Sequence, residues 1–477
     1  MEDPRNTPSH RPVGPAPNAC QGRAVTIMGL GLFGGGVAAA RYFAVRGAHV
    51  TVTDLKGADA LAPSLKALEG LPITFHLGGH RASDFTGADI VAVSPAVKKS
   101  SEFLQMAVRA GAEITCEMNL FVAACPAPLL GVTGSNGKST TASLAADMLA
   151  RHRPSRLGGN IGKSLLGELD DIRPHETVVL ELSSFQLQDL ARLRRSPRAA
   201  VVTNISENHL DHHGDMPSYI NAKKNILRFQ SPGDLAVLNA DDPEVRSWQQ
   251  EARGRVVPYS IGEALAEGVF AEGERVTFRL GGREERADLT GRIPLLGRHN
   301  LSNILAAATA ARLLDVPVEA IAASVAAFRP LPHRLEPVGR RDGVLFVNDS
   351  KATTPLAARA AIEAFDRPIV LIAGGYDKKA DPAPMVEAIR RGVRAVVLIG
   401  ETAGRLQDAI GRGGPAVERA DTLEAAVGRA IARARPGDVV LLSTGHASWD
   451  MFENYEQRGD AFRKAAQALG MLPLTSP

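Results

Sequence analysis

Cysteine and tryptophan are scarce in this 477-residue chain, at three and two residues. Cys20, Cys116 and Cys125 have no metal-ligand spacing, and three thiols cannot build a disulfide framework. A reduced, cytoplasmic setting fits them. An excess of one charge is also missing. Lysine and arginine number 55 against 52 acidic residues, a net charge of +3, which argues against the concentrated basic face of a general nucleic-acid binder. No apolar run approaches the roughly 20 residues that span a bilayer, so no membrane insertion is expected. Residues 1–20 are proline-rich, polar and charged, lack the apolar core of a signal peptide, and read as a disordered tail. No short internal repeat is visible. The balance of 44% hydrophobic and 22% charged residues is that of a globular protein, and the length suits two to four domains.

Against that plain background, residues 129–144 stand out: Leu-Leu-Gly-Val-Thr-Gly-Ser-Asn-Gly-Lys-Ser-Thr-Thr-Ala-Ser-Leu. An apolar strand runs into a glycine-rich turn, and a helix-forming run follows. Glycines let the backbone curl so that several N–H groups face one anion, and the positive end of the next helix adds to the pull. Lys138 can reach the outer phosphates of a nucleotide, and the Ser139 or Thr140 hydroxyl can hold Mg²⁺. The strict phosphate-loop spacing would need glycine at 132. This chain has Val132, with glycines at 131, 134 and 137.

A second glycine turn lies upstream. A strand over Ala24–Met28 is followed by Gly29-Leu30-Gly31-Leu32-Phe33-Gly34, then a helical run, then a strand over residues 50–53 that ends at Asp54. This is the dinucleotide fingerprint of a Rossmann-like βαβ unit, acidic residue included. On its face it predicts NAD and an oxidoreductase. In the middle of the chain, Glu181 closes a strand over residues 178–180. A carboxylate at a strand's C-terminal edge near a phosphate loop is well placed for Mg²⁺. Further strands are expected over residues 90–93, 200–202, 344–347, 369–372, 395–399 and 439–442. The last four, alternating with helices, imply another α/β layer with a mainly parallel sheet.

Residues 133–140, Thr-Gly-Ser-Asn-Gly-Lys-Ser-Thr, resemble the ATP loop of the Mur ligases and the folylpolyglutamate synthetases, which form amide bonds at the expense of ATP. Other motifs carry the resemblance along residues 22–470. They are Asn204-x-x-x-x-His209-x-Asp211, Tyr219-x-x-Ala222-Lys223, His299-Asn300-Leu301-Ser302-Asn303, and His333-Arg334-Leu335-Glu336. Asp349-Ser350-Lys351-Ala352-Thr353, Gly374-Gly375-Tyr376-Asp377-Lys378 and Tyr455-Glu456-Gln457-Arg458-Gly459 complete the set. The last three groups favour the branch that adds D-glutamate to UDP-N-acetylmuramoyl-L-alanine through an acyl phosphate, in peptidoglycan precursor synthesis. Two departures are visible. Asn208 stands where many relatives carry aspartate, and Thr444-Gly445-His446 stands where they usually carry Pro-Ala-Cys.

The resemblance implies an α/β chain of three domains: a Rossmann-like one over 21–125, a central ATP-binding one over 126–330 and a Rossmann-like C-terminal one over 331–477. It replaces NAD by the UDP of a UDP-sugar, held by Gly31, Leu32, Phe33, Asp54, Leu55, Lys56, Asn160 and His209. ATP falls to Gly134, Ser135, Asn136, Gly137, Lys138, Ser139 and Thr140, with Asn300 and Asn303 on adenine, Arg334 on phosphate and Asp349 on ribose. A helix N-cap role for Asn300 is compatible with this. Two Mg²⁺ ions fall to Ser139, Thr140, Glu181, His209 and Lys223, the last as a carbamate. Thr353, Lys378, Ser448 and Tyr455 take the incoming glutamate, and Lys138, His209, Lys223 and Lys351 serve catalysis. The chain is expected to act as a monomer. The rival readings are another muramyl or folate-type ligase, an NAD-dependent oxidoreductase, and a nucleotide-binding protein without activity.

Overall fold

The computed structural model describes residues 20–473 apart from 33, 96, 99, 162–163, 209, 273–274, 290–297 and 329–331. Three sheets organise it. The first comprises β1 (Ala24–Met28), β2 (His49–Asp54), β3 (Ile73–Leu77), β4 (Ile90–Val93) and β5 (Glu113–Thr115). They lie in the order β3-β2-β1-β4-β5, and every pairing is parallel. The order reverses direction between β1 and β4, and a crevice at the carboxyl ends of these strands is the usual ligand position of such sheets. The glycine turn after β1 opens there. Gly36 lets the first helix (Gly35–Ala44) pack hard against that turn: a Cβ at 36 would stand 2.3 Å from the Leu30 carbonyl oxygen.

The second sheet holds β6 (Leu129–Thr133), β7 (Ser155–Gly159), β8 (Thr177–Glu181), β9 (Ala199–Val202), β10 (Leu235–Asn239), β11 (Arg255–Ser260), β12 (Gly268–Glu272), β13 (Arg275–Leu280) and β14 (Arg283–Ala287). Its order is β14-β13-β12-β11-β10-β9-β6-β8-β7. Strand β6 sits between β8 and β9, parallel to both. All five residues of β6 and of β8 are buried, as expected of inner parallel strands covered on both faces. That burial explains why their sequences read as continuous apolar runs.

These two sheets share one apolar core and one compact unit. The helix Glu117–Ala124 is almost wholly apolar, and Met118 through Ala123 are buried. Its carboxyl end is tied down by Arg195, which donates to the carbonyls of Val122 (2.8 Å) and Ala123 (3.3 Å). Arg46 and Asp170 add an ion pair at 2.8 Å.

The C-terminal sheet forms the second unit. It comprises β15 (Glu336–Arg341), β16 (Val344–Asn348), β17 (Ile369–Gly374), β18 (Val393–Ile399), β19 (Ala416–Arg419), β20 (Val439–Leu442) and β21 (Leu472–Pro473), ordered β19-β18-β17-β20-β16-β15-β21. The five strands from β19 to β16 are parallel, and β15 joins β16 antiparallel. The sequence pattern marks four of these five and misses β19 at the edge; it also misses β15. Strand β15 carries Pro337 and Gly339 with a register shift between them, and both residues weaken a strand signal.

One sequence expectation is corrected here. The helix Arg298–Leu313 already includes Asn300, so Asn300 lies in the first helical turn and is not the N-cap. Its side-chain oxygen accepts from Asn303 Nδ2 at 3.1 Å, the i,i+3 contact of two residues on one helix face. Among the described residues no helix is long and apolar enough to cross a membrane. Of the tail read over residues 1–20, only Cys20 lies among the described residues, and it is buried.

The Gly36 contact yields a test. Gly36→Ala should destabilise the first unit by about 1–3 kcal/mol, the usual range for overpacking. Chemical denaturation of the variant against the parent protein measures it, and an unchanged midpoint would show that the turn yields freely.

Candidate active site

The loop after β6 is shaped by two glycines. Gly134 has φ 147°, and a Cβ there would lie 1.9 Å from Thr203 Oγ1. Gly137 has φ 81° and precedes the helix Lys138–Ala150, whose amino end has no side-chain cap. Its first N–H groups are thus left to face an anion. Residues just past β9 brace the loop from below. Thr203 Oγ1 donates to the Asn136 carbonyl at 2.6 Å, Asn204 Oδ1 accepts from Asn136 N at 2.9 Å, and the Ser206 amide donates to Ser135 Oγ at 2.8 Å. Lys138 folds back, its Nζ donating to the carbonyls of Gly134 (3.0 Å) and Ser135 (2.9 Å). Ser139 and Thr140 are both buried under the helix start.

Behind the loop lies Lys223, on the helix Met216–Arg228 and 1% exposed. Its Nζ donates to the Gly134 carbonyl at 2.8 Å and sits 4.8 Å from the centre of the Tyr219 ring. Burial foremost, and the nearby Lys138 ammonium second, push its pKa far below the usual lysine range; Glu181 opposes them. Lys224, one residue on, faces the other way and pairs with Glu251 at 2.6 Å. Tyr219 donates or accepts with Ser135 Oγ at 2.9 Å, so this helix also steadies the loop.

Glu181 ends β8 beside β6, 2% exposed. Asn160 Nδ2 donates to its Oε1 at 3.2 Å, whereas Oε2 is buried with no hydrogen-bond partner among the described residues. A buried carboxylate oxygen without a donor is costly unless a cation meets it. The hydroxyls of Ser139 and Thr140 and this carboxylate are hard oxygen donors, so the residues present fit Mg²⁺. Among the described residues no cluster of three His, Cys, Asp or Glu offers an alternative metal site. His209 lies outside the described residues.

At the first sheet's crevice, Asp54 is 7% exposed and works on the turn itself. Its Oδ2 accepts from the amides of Leu30 (2.8 Å) and Gly31 (3.1 Å), and its Oδ1 from Lys56 (2.9 Å). The carboxylate that the dinucleotide fingerprint would assign to a ribose is therefore engaged by backbone. Leu32 and Leu55 are exposed on the rim, and Phe33 lies outside the described residues. Val93, Ser94 and Pro95 at the end of β4 line a pocket with Asn119, Phe185, and His212.

In the second unit, Asp349 follows β16. It accepts from the Leu335 amide (3.1 Å) and Ser443 Oγ (2.8 Å), and burial pushes its pKa up to about 7. Both oxygens thus hold the loop as well as any ligand. Arg334 Nε is buried without a partner among the described residues, an unsatisfied guanidinium donor of the kind a phosphate would complete. Burial, and then Arg334, lower His299 to about 4, which leaves that imidazole neutral. Lys351 Nζ lies 5.6 Å from the Tyr455 ring centre. Thr353 is half-buried on the same loop, its amide on the Lys351 carbonyl at 3.0 Å. Strands β17 and β20 pair side by side, which brings the loops carrying Lys378 and Ser448 together.

Arg458 lies in the last of the motifs, where the resemblance implies no role for it. It is 1% exposed and bonds Ser350 Oγ (2.9 Å), the Ser350 carbonyl (2.8 Å) and the His446 carbonyl (3.1 Å). A guanidinium buried among carbonyls fixes two loops at once, and burial lowers its pKa to about 10. Thr444-Gly445-His446, the departure noted above, is part of the same knot: Gly445 N donates to the Ala352 carbonyl at 3.0 Å and Gly374 N to the Thr444 carbonyl at 2.9 Å. A glutamine-arginine-glycine run on a helix was the available signal, but only the fold shows what it holds.

Comparison with known proteins agrees with this geometry. Residues 23–116 match the Mur ligase MurD-like N-terminal domain, 132–311 the Mur ligase middle domain, and 333–445 the Mur ligase glutamate ligase domain. A UDP-N-acetylmuramoylalanine–D-glutamate ligase of Roseiflexus sp. (strain RS-1) is 45% identical over 94% of this chain and 99% of its own. One from Symbiobacterium thermophilum is 42% identical over 93% and 97%. Among solved structures, the UDP-N-acetylmuramate-alanine ligase MurC of Thermotoga maritima aligns with a TM-score of 0.60 at 17% identity, over 94% of this chain and all of that one. The MurF ligase of Thermotoga maritima in complex with ADP aligns at 0.58 with 19% identity, over 88% and 96%. With its three domains matched in order and relatives above 40% identity along nearly its whole length, the chain belongs to the Mur ligase family.

Proposed function

We propose that this protein joins D-glutamate to UDP-N-acetylmuramoyl-L-alanine at the expense of ATP, a step of peptidoglycan precursor synthesis. It is an ATP-dependent ligase, and its relatives of 40–45% identity carry that activity in their names. The observation that carries the reading is the joint presence of a built phosphate loop with Glu181 and Lys223 buried at its back. An oxidoreductase would leave that assembly without a purpose. The engaged Asp54 carboxylate also counts against NAD. The reading places the work in the cytoplasm, where ATP and UDP-sugars are available, and takes the enzyme as a monomer.

The chemistry follows from charge. The terminal carboxylate of the first substrate attacks the γ-phosphorus, ADP leaves, and an acyl phosphate forms. The D-glutamate amine then attacks the acyl carbon, loses a proton, and phosphate leaves. Carboxylate and triphosphate repel each other, so the enzyme must supply cations. Lys138 turns from its own loop carbonyls to the outer phosphates, and the open helix start takes the phosphate beside it. Arg334 and Lys351 add positive charge, Asn300 and Asn303 take adenine, and Asp349 the ribose. Gly31, Leu32, Leu55 and Lys56 of the first domain, with Phe33, take the UDP-sugar together with Asn160 of the central domain, and His209 joins them by its place in the motif. Mg²⁺, as two ions, would be held by Ser139, Thr140, Glu181, His209 and carboxylated Lys223, and supplies charge neutralisation on the phosphates. Lys378, Ser448, Thr353 and Tyr455 hold the glutamate. In this reading the three domains span 21–125, 126–330 and 331–477.

Lys223 is suited to carbamate formation because CO₂ adds only to a neutral amine. Burial supplies the neutral form, and addition gives an anion plus one released proton.

Three measurements test the reading. With ATP, Mg²⁺ and UDP-N-acetylmuramoyl-L-alanine, phosphate release should depend on D-glutamate and not on L-glutamate, L-lysine or diaminopimelate; a preference for any other amino acid would reassign the branch. Lys378→Ala should raise the KM for D-glutamate roughly 10- to 150-fold, matching the loss of about 1.5–3 kcal/mol for a charged hydrogen bond, with a far smaller effect on ATP. Lys223→Ala should be nearly inactive and regain activity with added formate or acetate, whereas Lys224→Ala stays near the parent. A folded Lys223→Ala enzyme that ignores small carboxylates would reject the carbamate.

A further inference from the structure

The loops after β17 and β20 carry two large aromatic side chains that the core does not use. Tyr376 is 39% exposed and Trp449 is 60% exposed. Their ring centroids lie 5.6 Å apart, tilted by 55°. Two large exposed aromatic rings side by side form a small apolar patch, which is more telling than a single exposed residue. The loops under it are rigid: Tyr376 N donates to the Ala447 carbonyl at 2.9 Å, and the pair forms an isolated antiparallel bridge. The far side of the first loop is pinned by Arg405, which bonds Asp377 at 2.8 Å and the Ala380 carbonyl at 2.7 Å. Between these anchors the Lys378 ammonium lies 4.6 Å from the centre of the Trp449 ring. Ser448, the residue before Trp449, is buried.

We infer that Trp449, with Tyr376 as its support, is the residue that positions Lys378 for the incoming dicarboxylate; this rests on the function proposed above. A free lysine side chain samples many rotamers and loses that freedom on binding, at a cost in affinity. The indole face attracts the ammonium through the ring quadrupole and narrows its positions beforehand. An ammonium has three N–H donors, so contact with one aromatic face does not by itself exhaust them. The attraction at an exposed site is modest, so the ring orients the lysine and leaves the strength of binding to the ion pair. Trp449 is thus a positioning residue acting through Lys378.

The test is a kinetic split with a rescue. Trp449→Leu should raise the KM for D-glutamate about 2- to 5-fold, the span that an exposed cation–π contact allows, with the KM for ATP unchanged. Trp449→Phe, which restores a ring, should recover most of the loss. Emission gives an independent readout, because the only other tryptophan, Trp248, is fully buried. The signal lost in Trp449→Phe is that of Trp449, and Lys378→Met should alter it. An unchanged D-glutamate KM in Trp449→Leu, equal effects on ATP, or failure of phenylalanine to rescue would overturn the inference while the parent enzyme still turns over. Absence of D-glutamate turnover in the parent enzyme would overturn the function reading and this inference with it.

Discussion

The close approach of Gly134 to Thr203 is the constraint on which the active half of the middle sheet depends. No side chain fits between them, since even a Cβ would fall 1.9 Å from the threonine oxygen. That contact holds the loop in the curl that turns its amides outward and leaves its carbonyls facing inward. The inward carbonyls then need donors. Lys138 and Lys223 supply them, both to Gly134, at 3.0 and 2.8 Å. Lys138 reaches in from the helix start that follows the loop; Lys223 is buried behind it.

Each of the two units holds a buried polar atom that lacks a partner. Glu181 Oε2 and Arg334 Nε are each buried without a partner among the described residues. Such groups lower stability unless a partner meets them. Where the protein instead needs permanent order, its buried charges are satisfied in full. Arg458 has all of its bonds directed at two loops, and Asp54 is engaged by three amides.

The contrast between these two kinds of buried charge separates binding groups from braces. Asp54 illustrates it well. Its position in the sequence, just after the second strand of a glycine fingerprint, suggests a ribose contact. In the fold it faces the turn it follows, because a turn with Gly31 at φ 62° exposes the Leu30 and Gly31 amides to the neighbouring strand end. The same residue type at the same motif position can therefore build the pocket rather than touch its occupant.

Much of this was legible in the sequence. The strand, glycine turn and helix around Lys138 are local, and local hydrogen bonding and φ preference decide them. The buried parallel strands announced themselves as short apolar runs, and the chemistry-bearing residues followed those runs because loops at strand ends carry function in such sheets. Other features were decided by tertiary structure. Strand β15 is held by its neighbour despite Pro337 and Gly339. Asn300 lies inside a helical turn. Lys223 and Lys224 are adjacent and chemically alike, yet one is 1% exposed behind the phosphate loop and the other pairs with Glu251 at 2.6 Å. The sequence by itself determined which residues stand at the strand ends, because periodicity and turn chemistry are short-range. Only the fold decided which charges are buried, which are satisfied and which are left open, because desolvation depends on every chain segment packed around a group.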